Sequence, residues 1–373
     1  MNLSVDGLIF QDQKYGGISR VFSEILPRMC DLNEDLSIDL FTVGKPKRFL
    51  PSHQRIFHRQ IPQAYDILRP NRLFKYVIPT VNKMLKRLMV GDGEGRIWHS
   101  TYFTLPAKWQ GKQVVTVHDM IFEQFPELYD DPYSRNLRKR KTECIKNADA
   151  VICVSDTTKK TVKSYLNLSS QKIYVVHLAA SGIFKRLSMT KNAISLGINK
   201  PFILYSGQRW PHKNFDTLAK AYSFWNNKQD FSLIVVGKPW SDEEKKRLED
   251  LNIYGHVTLK TGVDDQYLCC LYNLASAFVY PSLYEGFGIP LLEAMSCGCP
   301  IIASRIPSTI EIGGDIPYYF DPQNVDELLH AIDTAINKGR ENQRINNGYI
   351  QARLYSWNKT AEKTLNIYRE IEL

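Results

Sequence analysis

The carboxylates Glu285 and Glu293 stand eight residues apart in the run Glu-Gly-Phe-Gly-Ile-Pro-Leu-Leu-Glu. Between them a glycine-flanked turn leads to Pro290, which opens what reads as a helix. The preceding Ser276–Ser282 reads as a buried strand. Strand, glycine turn and helix start together aim backbone N–H groups at an anion, above all a phosphate. Ionised carboxylates on either side are strong acceptors for hydroxyl donors. The segment therefore suits a molecule that carries both a phosphate and a sugar. A surface turn with two solvated acids is the plainer alternative. The apolar Phe287, Ile289, Leu291 and Leu292 argue against it.

Three further clusters have the residue types for such a ligand. Tyr15-Gly16-Gly17-Ile18-Ser19-Arg20 follows the first predicted strand. Paired glycines let a ligand approach the backbone, and the following helix start favours anions, although a tight turn without a ligand reads the same way. In Thr116-Val117-His118-Asp119 the histidine ends an apolar strand. It suits a hydrogen bond to a sugar hydroxyl or proton transfer, and equally a core imidazole satisfied by backbone. Asp119 could simply cap the next segment. Ser206–Asn214 joins a strand to a helix and holds Arg209, a fork for a diphosphate, and Lys213, a point charge. A solvated basic loop is the alternative there. No Asp-x-Asp pair occurs, so a carboxylate-held metal on a diphosphate is not expected, and no Gly-x-x-x-x-Gly-Lys-Ser/Thr loop occurs either.

Elements must bring these clusters together. A chain of 373 residues exceeds one ordinary core, so two domains are expected. At 43% hydrophobic and 23% charged, with no 18-residue apolar run, it reads as a soluble globular protein without a membrane span. Met1–Gly7 lacks a basic n-region and a cleavage site, so no signal peptide is expected. Seven cysteines without framework spacing or a Cys-x-x-Cys pair argue against zinc and for a reducing compartment.

Strand and helix signals alternate. Leu3–Phe10, Ser37–Val43, Arg96–His99, Gln113–His118, Ala148–Val154 and Lys172–His177 read as strands of a first half. Ile18–Leu32, Asp130–Lys146 and Asp156–Leu166 are its predicted helices. The pattern pauses at Phe184–Lys200 and restarts at Phe202–Ser206, ending in predicted helices Val325–Asn337, Glu341–Leu354 and Trp357–Ile371. Two successive doubly wound α/β units are the simplest account, with ligands at the carboxyl ends of the strands and a cleft between facing units. Residues 1–185 hold 28 Lys and Arg against 18 Asp and Glu, whereas the remainder holds 20 against 21. The positive half should face an anionic partner such as a lipid surface. The amphipathic Tyr76–Met89 and the basic Arg135–Lys141 suit lipid headgroups or an ordinary solvated helix face equally.

The ordered set Gly16-Gly17, His118-Asp119, Arg209 with Lys213-Asn214, and Glu285…Glu293 resembles the retaining glycosyltransferases of family 4 over nearly the full length. The whole is most similar to bacterial mannosyl- or rhamnosyl-type enzymes of polysaccharide assembly. The resemblance implies the GT-B fold: an N-terminal Rossmann-like acceptor domain over 1–190, a nucleotide-sugar domain over 191–355, and a final helix, 356–373, that crosses back. It implies that Glu293 holds the donor ribose and Glu285 meets the transferred sugar. Phe287, Gly288 and Ile289 would offer backbone N–H groups, with Gly16 and Gly17 adding theirs. Arg209 and Lys213 would neutralise the departing diphosphate, with Gly207 and Asn214 beside them in the donor set. His118 would hydrogen-bond the sugar, at its 6-position. The expected co-substrate is a nucleotide sugar, GDP-mannose by preference, with no cofactor and no metal. The expected acceptor is a saccharide or lipid-linked saccharide at the cytoplasmic membrane face. A sugar-nucleotide epimerase and a non-catalytic nucleotide-sugar binder are the rival functions. No recognised nucleic-acid motif is present.

Overall fold

The computed structural model describes residues 1–12, 16–44, 46, 49–63, 78–106, 108–168, 172–188, 197–340 and 343–372. Tyr15, Tyr76, Val77, Glu341 and the boundary expected at 190 lie outside them. The chain divides into two compact units. The first is Met1–Leu178 with Trp357–Leu373, and the second is Ala179–Ser356. The break between the units therefore falls before the polar stretch Phe184–Lys200.

The first unit is built on a parallel sheet of seven strands: β1 (Asn2–Asp6), β2 (Ser37–Val43), β3 (Ile56–Ile61), β4 (Ile97–Ser100), β5 (Lys112–Val117), β6 (Ala150–Cys153) and β7 (Ile173–Val175). Their order is β3-β2-β1-β4-β5-β6-β7. The second carries β8 (Phe202–Ser206), β9 (Ser232–Val236), β10 (Val257–Lys260), β11 (Ala277–Tyr280), β12 (Ile301–Ser304) and β13 (Tyr318–Phe320). Here the order is β10-β9-β8-β11-β12-β13, again with every pairing parallel. In both sheets the strand order reverses beside the first strand, next to β4 in one unit and β11 in the other. That reversal leaves a crevice at the carboxyl ends, where open α/β sheets bind ligands. The central strands of both sheets are near-continuous apolar runs because helices bury both faces. Leu3, Val5, Leu204 and Val279 are fully buried examples.

Most predicted elements recur within a residue or two, and three departures have local causes. The strand expected over Leu3–Phe10 stops at Asp6, and Leu8–Asp12 is helical. There the Asp6 carboxylate accepts the Leu8 N–H at 3.2 Å, closing a turn that starts a helix. The basic helix begins at Pro132 rather than Asp130 because Asp131 is its N-cap, accepting the N–H groups of Tyr133 and Ser134. β3 had no sequence signal, since only its end residues Ile56 and Ile61 are buried. The terminal helix Trp357–Glu372 packs on Gly17–Leu32 within the first unit. Its Tyr368 hydroxyl shares a buried hydrogen bond with His99 on β4, and Thr360 donates to the His177 carbonyl at 2.8 Å.

Candidate functional site

In the second unit the loops after β8 and β11 meet at the point where the strand order reverses. The turn Pro211–Lys213 is tied to the β11 loop by the Leu283 N–H, which donates to the His212 carbonyl at 2.7 Å. Asn214 adopts a left-handed conformation, φ 55°. Its amide donates to the carbonyls of Pro281 and Pro322 at 3.0 and 2.8 Å, stitching together the ends of three strands. The Asn214 side chain is thus committed to the frame that carries the site.

That frame places Lys213 Nζ 2.6 Å from Glu285 Oε1. Ser282 donates to the same oxygen at 2.6 Å. Burial pushes the Glu285 carboxyl up, but the Lys213 charge, the His212 ring and these donors together hold it below the usual range. Glu285 is therefore a half-buried anion whose geometry is fixed on several sides. Eight residues on, Glu293 is 5% exposed on the helix Ile289–Ser296 and accepts from Tyr272 at 3.3 Å. Gly288 caps that helix with φ 115°, a conformation that favours glycine, and Pro290 follows in the first turn. The chain so delivers the helix start beneath Phe287, which is buried with its ring edge-on to Tyr355.

The Arg209 side chain is only 4% exposed and forms a bidentate pair with Glu244, at 2.7 and 3.0 Å. It also donates to the carbonyls of Lys238 and Pro239 and lies 4.2 Å from the centre of the Trp240 ring. Its Nη1 is buried without a partner, beside Gly237. One edge of the guanidinium is held, and the remaining terminal nitrogen is enclosed without a hydrogen-bond partner. Gly207 has φ 140°, and open space surrounds the position a side chain would occupy.

The first unit holds its own candidates at strand ends. Gly16 caps Gly17–Leu32 in extended backbone, and its carbonyl accepts from Ser19 and Arg20. His118, directly after β5, is buried, and its Nε2 has no partner. Burial, reinforced by Lys141 and opposed by Asp119, lowers its pKa to about 4, so the ring is neutral at neutral pH. Sequence reasoning missed Asp6, which ends β1 and binds Thr101 after β4 through oxygen and nitrogen. It also missed Tyr272, Glu244 and the buried Lys141–Glu123 pair. A buried acid closing a strand was the legible sign of Asp6. The others are long-range pairings that spacing does not encode.

Two parallel sheets with reversed strand order, each presenting polar residues at its carboxyl edge, make up a fold of the GT-B class. The comparisons agree. The model described as Glycosyltransferase Family 4 matches residues 15–179, and that of Glycosyl transferases group 1 matches 189–351. The chain belongs to the family 4 glycosyltransferases, and it is a hexosyltransferase. Among relatives, O-antigen chain mannosyltransferase B of Escherichia coli is 28% identical, over 95% of this chain and 96% of that one. The O-antigen chain mannosyltransferase RfbU of Salmonella typhimurium is 28% identical over 67% of this chain and 70% of its own. Among solved structures, sucrose-phosphate synthase from Thermosynechococcus elongatus matches with a TM-score of 0.77 and 18% identity, covering 99% of this chain and 98% of that one. Anabaena HepE in complex with UDP and glucose matches with a TM-score of 0.72 and 16% identity, covering 99% of this chain and all of that one.

Proposed function

We propose that this glycosyltransferase moves mannose, with retention and without a metal, from GDP-mannose to a saccharide or lipid-linked saccharide acceptor in cell-surface polysaccharide assembly. The Lys213–Glu285 pair, set where the strand order reverses beside β8 and β11, carries this reading. The mannosyl class rests on the relatives named above.

During transfer the bond from the sugar anomeric carbon to the β-phosphate oxygen breaks. The acceptor oxygen bonds to the same carbon from the same face, and its proton passes to the departing phosphate. Negative charge grows on the diphosphate, and Lys213 with the unpartnered nitrogen of Arg209 is the cationic response. The N–H groups at the start of Ile289–Ser296 add fixed dipoles. Glu293, turned by Tyr272, suits the ribose hydroxyls, and Glu285 suits a sugar hydroxyl. His118, neutral and with a spare nitrogen, suits the sugar 6-hydroxyl. The basic first half suits anionic lipid at the cytoplasmic face. On the helix Ile78–Val90, Met84 and Leu88 are exposed one turn apart, and no described helix is long and apolar enough to cross a membrane.

The test is release of nucleoside diphosphate in a chelator. Lys213→Met is expected to lower kcat by roughly 10²–10³ while the protein stays folded. Full activity in that variant, or activity that returns only with added Mg²⁺, would overturn the metal-independent reading.

A further inference from the structure

Lys141 is among the largest fully buried side chains of the chain, although it is charged. It comes from the basic run Arg135–Lys141 on the helix Pro132–Asn147, whose neighbours are more exposed. Its Nζ lies 2.8 Å from Glu123 Oε2, and the Glu123 side chain is itself fully buried. It also donates to the Asp119 carbonyl at 3.1 Å and stands 3.9 Å from Asp119 Oδ1. The rings of Phe103 and Phe122 flank it at 5.2 and 5.5 Å. Burying such a pair costs several kcal/mol per ion, and apolar residues of like volume are often as good for stability. Stability alone therefore gives a poor reason for a lysine here. What the lysine does that a methionine cannot is grip the backbone of the turn after β5 and place a positive charge beside His118.

We propose that Lys141, clamped by Glu123, is a positioning residue for the sugar-facing turn His118–Asp119, fixing its backbone and setting the electrostatic field at the imidazole. This rests on the reading that His118 meets the donor sugar. The groups that face the imidazole are few. Asp119 on the same turn favours its protonation, Lys141 opposes it, and His99 on β4 is also coupled to it. Phe22, from the helix Gly17–Leu32, packs edge-on at 6.1 Å and carries no charge. The spare Nε2 of His118 is useful to a sugar hydroxyl only if the ring keeps one tautomer and one orientation. A turn held at Asp119 by an ammonium supplies that constraint.

The experiment compares the full-length protein with Lys141→Met and with Lys141→Met combined with Glu123→Leu. The double change removes both charges, so it remains a folded test even where the single one fails. Two readouts are taken. The first is the His118 titration by imidazole NMR, assigned with His118→Gln. The second is kcat and KM for the donor. The imidazole pKa is expected to rise by about one unit. Donor kcat/KM is expected to fall about tenfold, carried by kcat, because the reacting geometry loosens. Lys141→Arg keeps the cation, so its titration should stay near that of the wild type. A folded double variant with unchanged titration and unchanged kcat/KM would overturn the proposal, as would an Arg variant that titrates like the Met one. If His118→Gln itself leaves donor kcat/KM unchanged, the sugar-facing reading of His118 fails, while the titration still judges Lys141.

Discussion

Asn214 shows how much of the site depends on single residues that hold its frame together. It takes a left-handed φ, which asparagine tolerates better than most residues, and spends its amide on two strand-end carbonyls. Asn214→Ala leaves both carbonyls without this donor and strains the backbone, so a loss of about 2–3 kcal/mol is expected in denaturant unfolding. A wild-type midpoint in that variant would contradict the stitching role. Gly237 is as constrained. A methyl there would sit 2.7 Å from Arg209 Nη1 and 2.8 Å from the Gly207 carbonyl. Gly237→Ala is expected to cost about 1–3 kcal/mol and to raise the donor KM. Unchanged stability together with unchanged KM would show that the guanidinium nitrogen is not confined as described. The types and spacing of Glu285, Glu293, Lys213 and Gly288 were readable in the chain, because glycine turns, proline starts and charge pairs are local signals. That Arg209 would be half-claimed by Glu244, and the Asn214 amide nitrogen by two carbonyls, was not, since both depend on partners far along the sequence.

At the scale of elements, β4 and β5 bring two imidazoles into the apolar interior of the first unit. His99 bonds to Tyr368 and to Thr116, the latter at 2.8 Å, and burial lowers its pKa to about 3. His118 lies at about 4 for the same leading reason. A depressed imidazole contributes stability fully above its ordinary value near 6.5 and loses it as pH falls toward the folded value. Each ring then weakens the fold by about 1.4 kcal/mol per pH unit, because the unfolded chain binds the proton first. Unfolding midpoints are therefore expected to drop steeply between pH 6 and pH 4, and His99→Phe should flatten that slope. A slope unaffected by both His99→Phe and His118→Gln would contradict the burial account. The parallel, doubly wound order of these strands was legible from alternating apolar runs and helical stretches. β3 was not, because an edge strand with four exposed central residues has no hydrophobic period to read.

At the scale of the molecule, the excess positive charge and the paired carboxylates fall in different halves of the chain. The excess of ten positive charges in residues 1–185 is expected to hold the protein on vesicles containing anionic lipid, and salt near 0.5 M should release it. Retention that is indifferent to both salt and lipid charge would remove the membrane from the account. A nucleoside diphosphate that fits the second unit should stabilise the fold by about 2.7 kcal/mol at a hundred times its Kd. GDP is expected to exceed UDP in this respect, and the reverse order would move the donor to the UDP sugars. The most direct test of the central claim is nucleoside diphosphate released from GDP-mannose, with and without a lipid-linked saccharide acceptor, by wild type and by Glu293→Ala. The account expects release only when donor and acceptor are both present, and its loss in the folded variant. Equal release without acceptor, or full activity in Glu293→Ala, would contradict it.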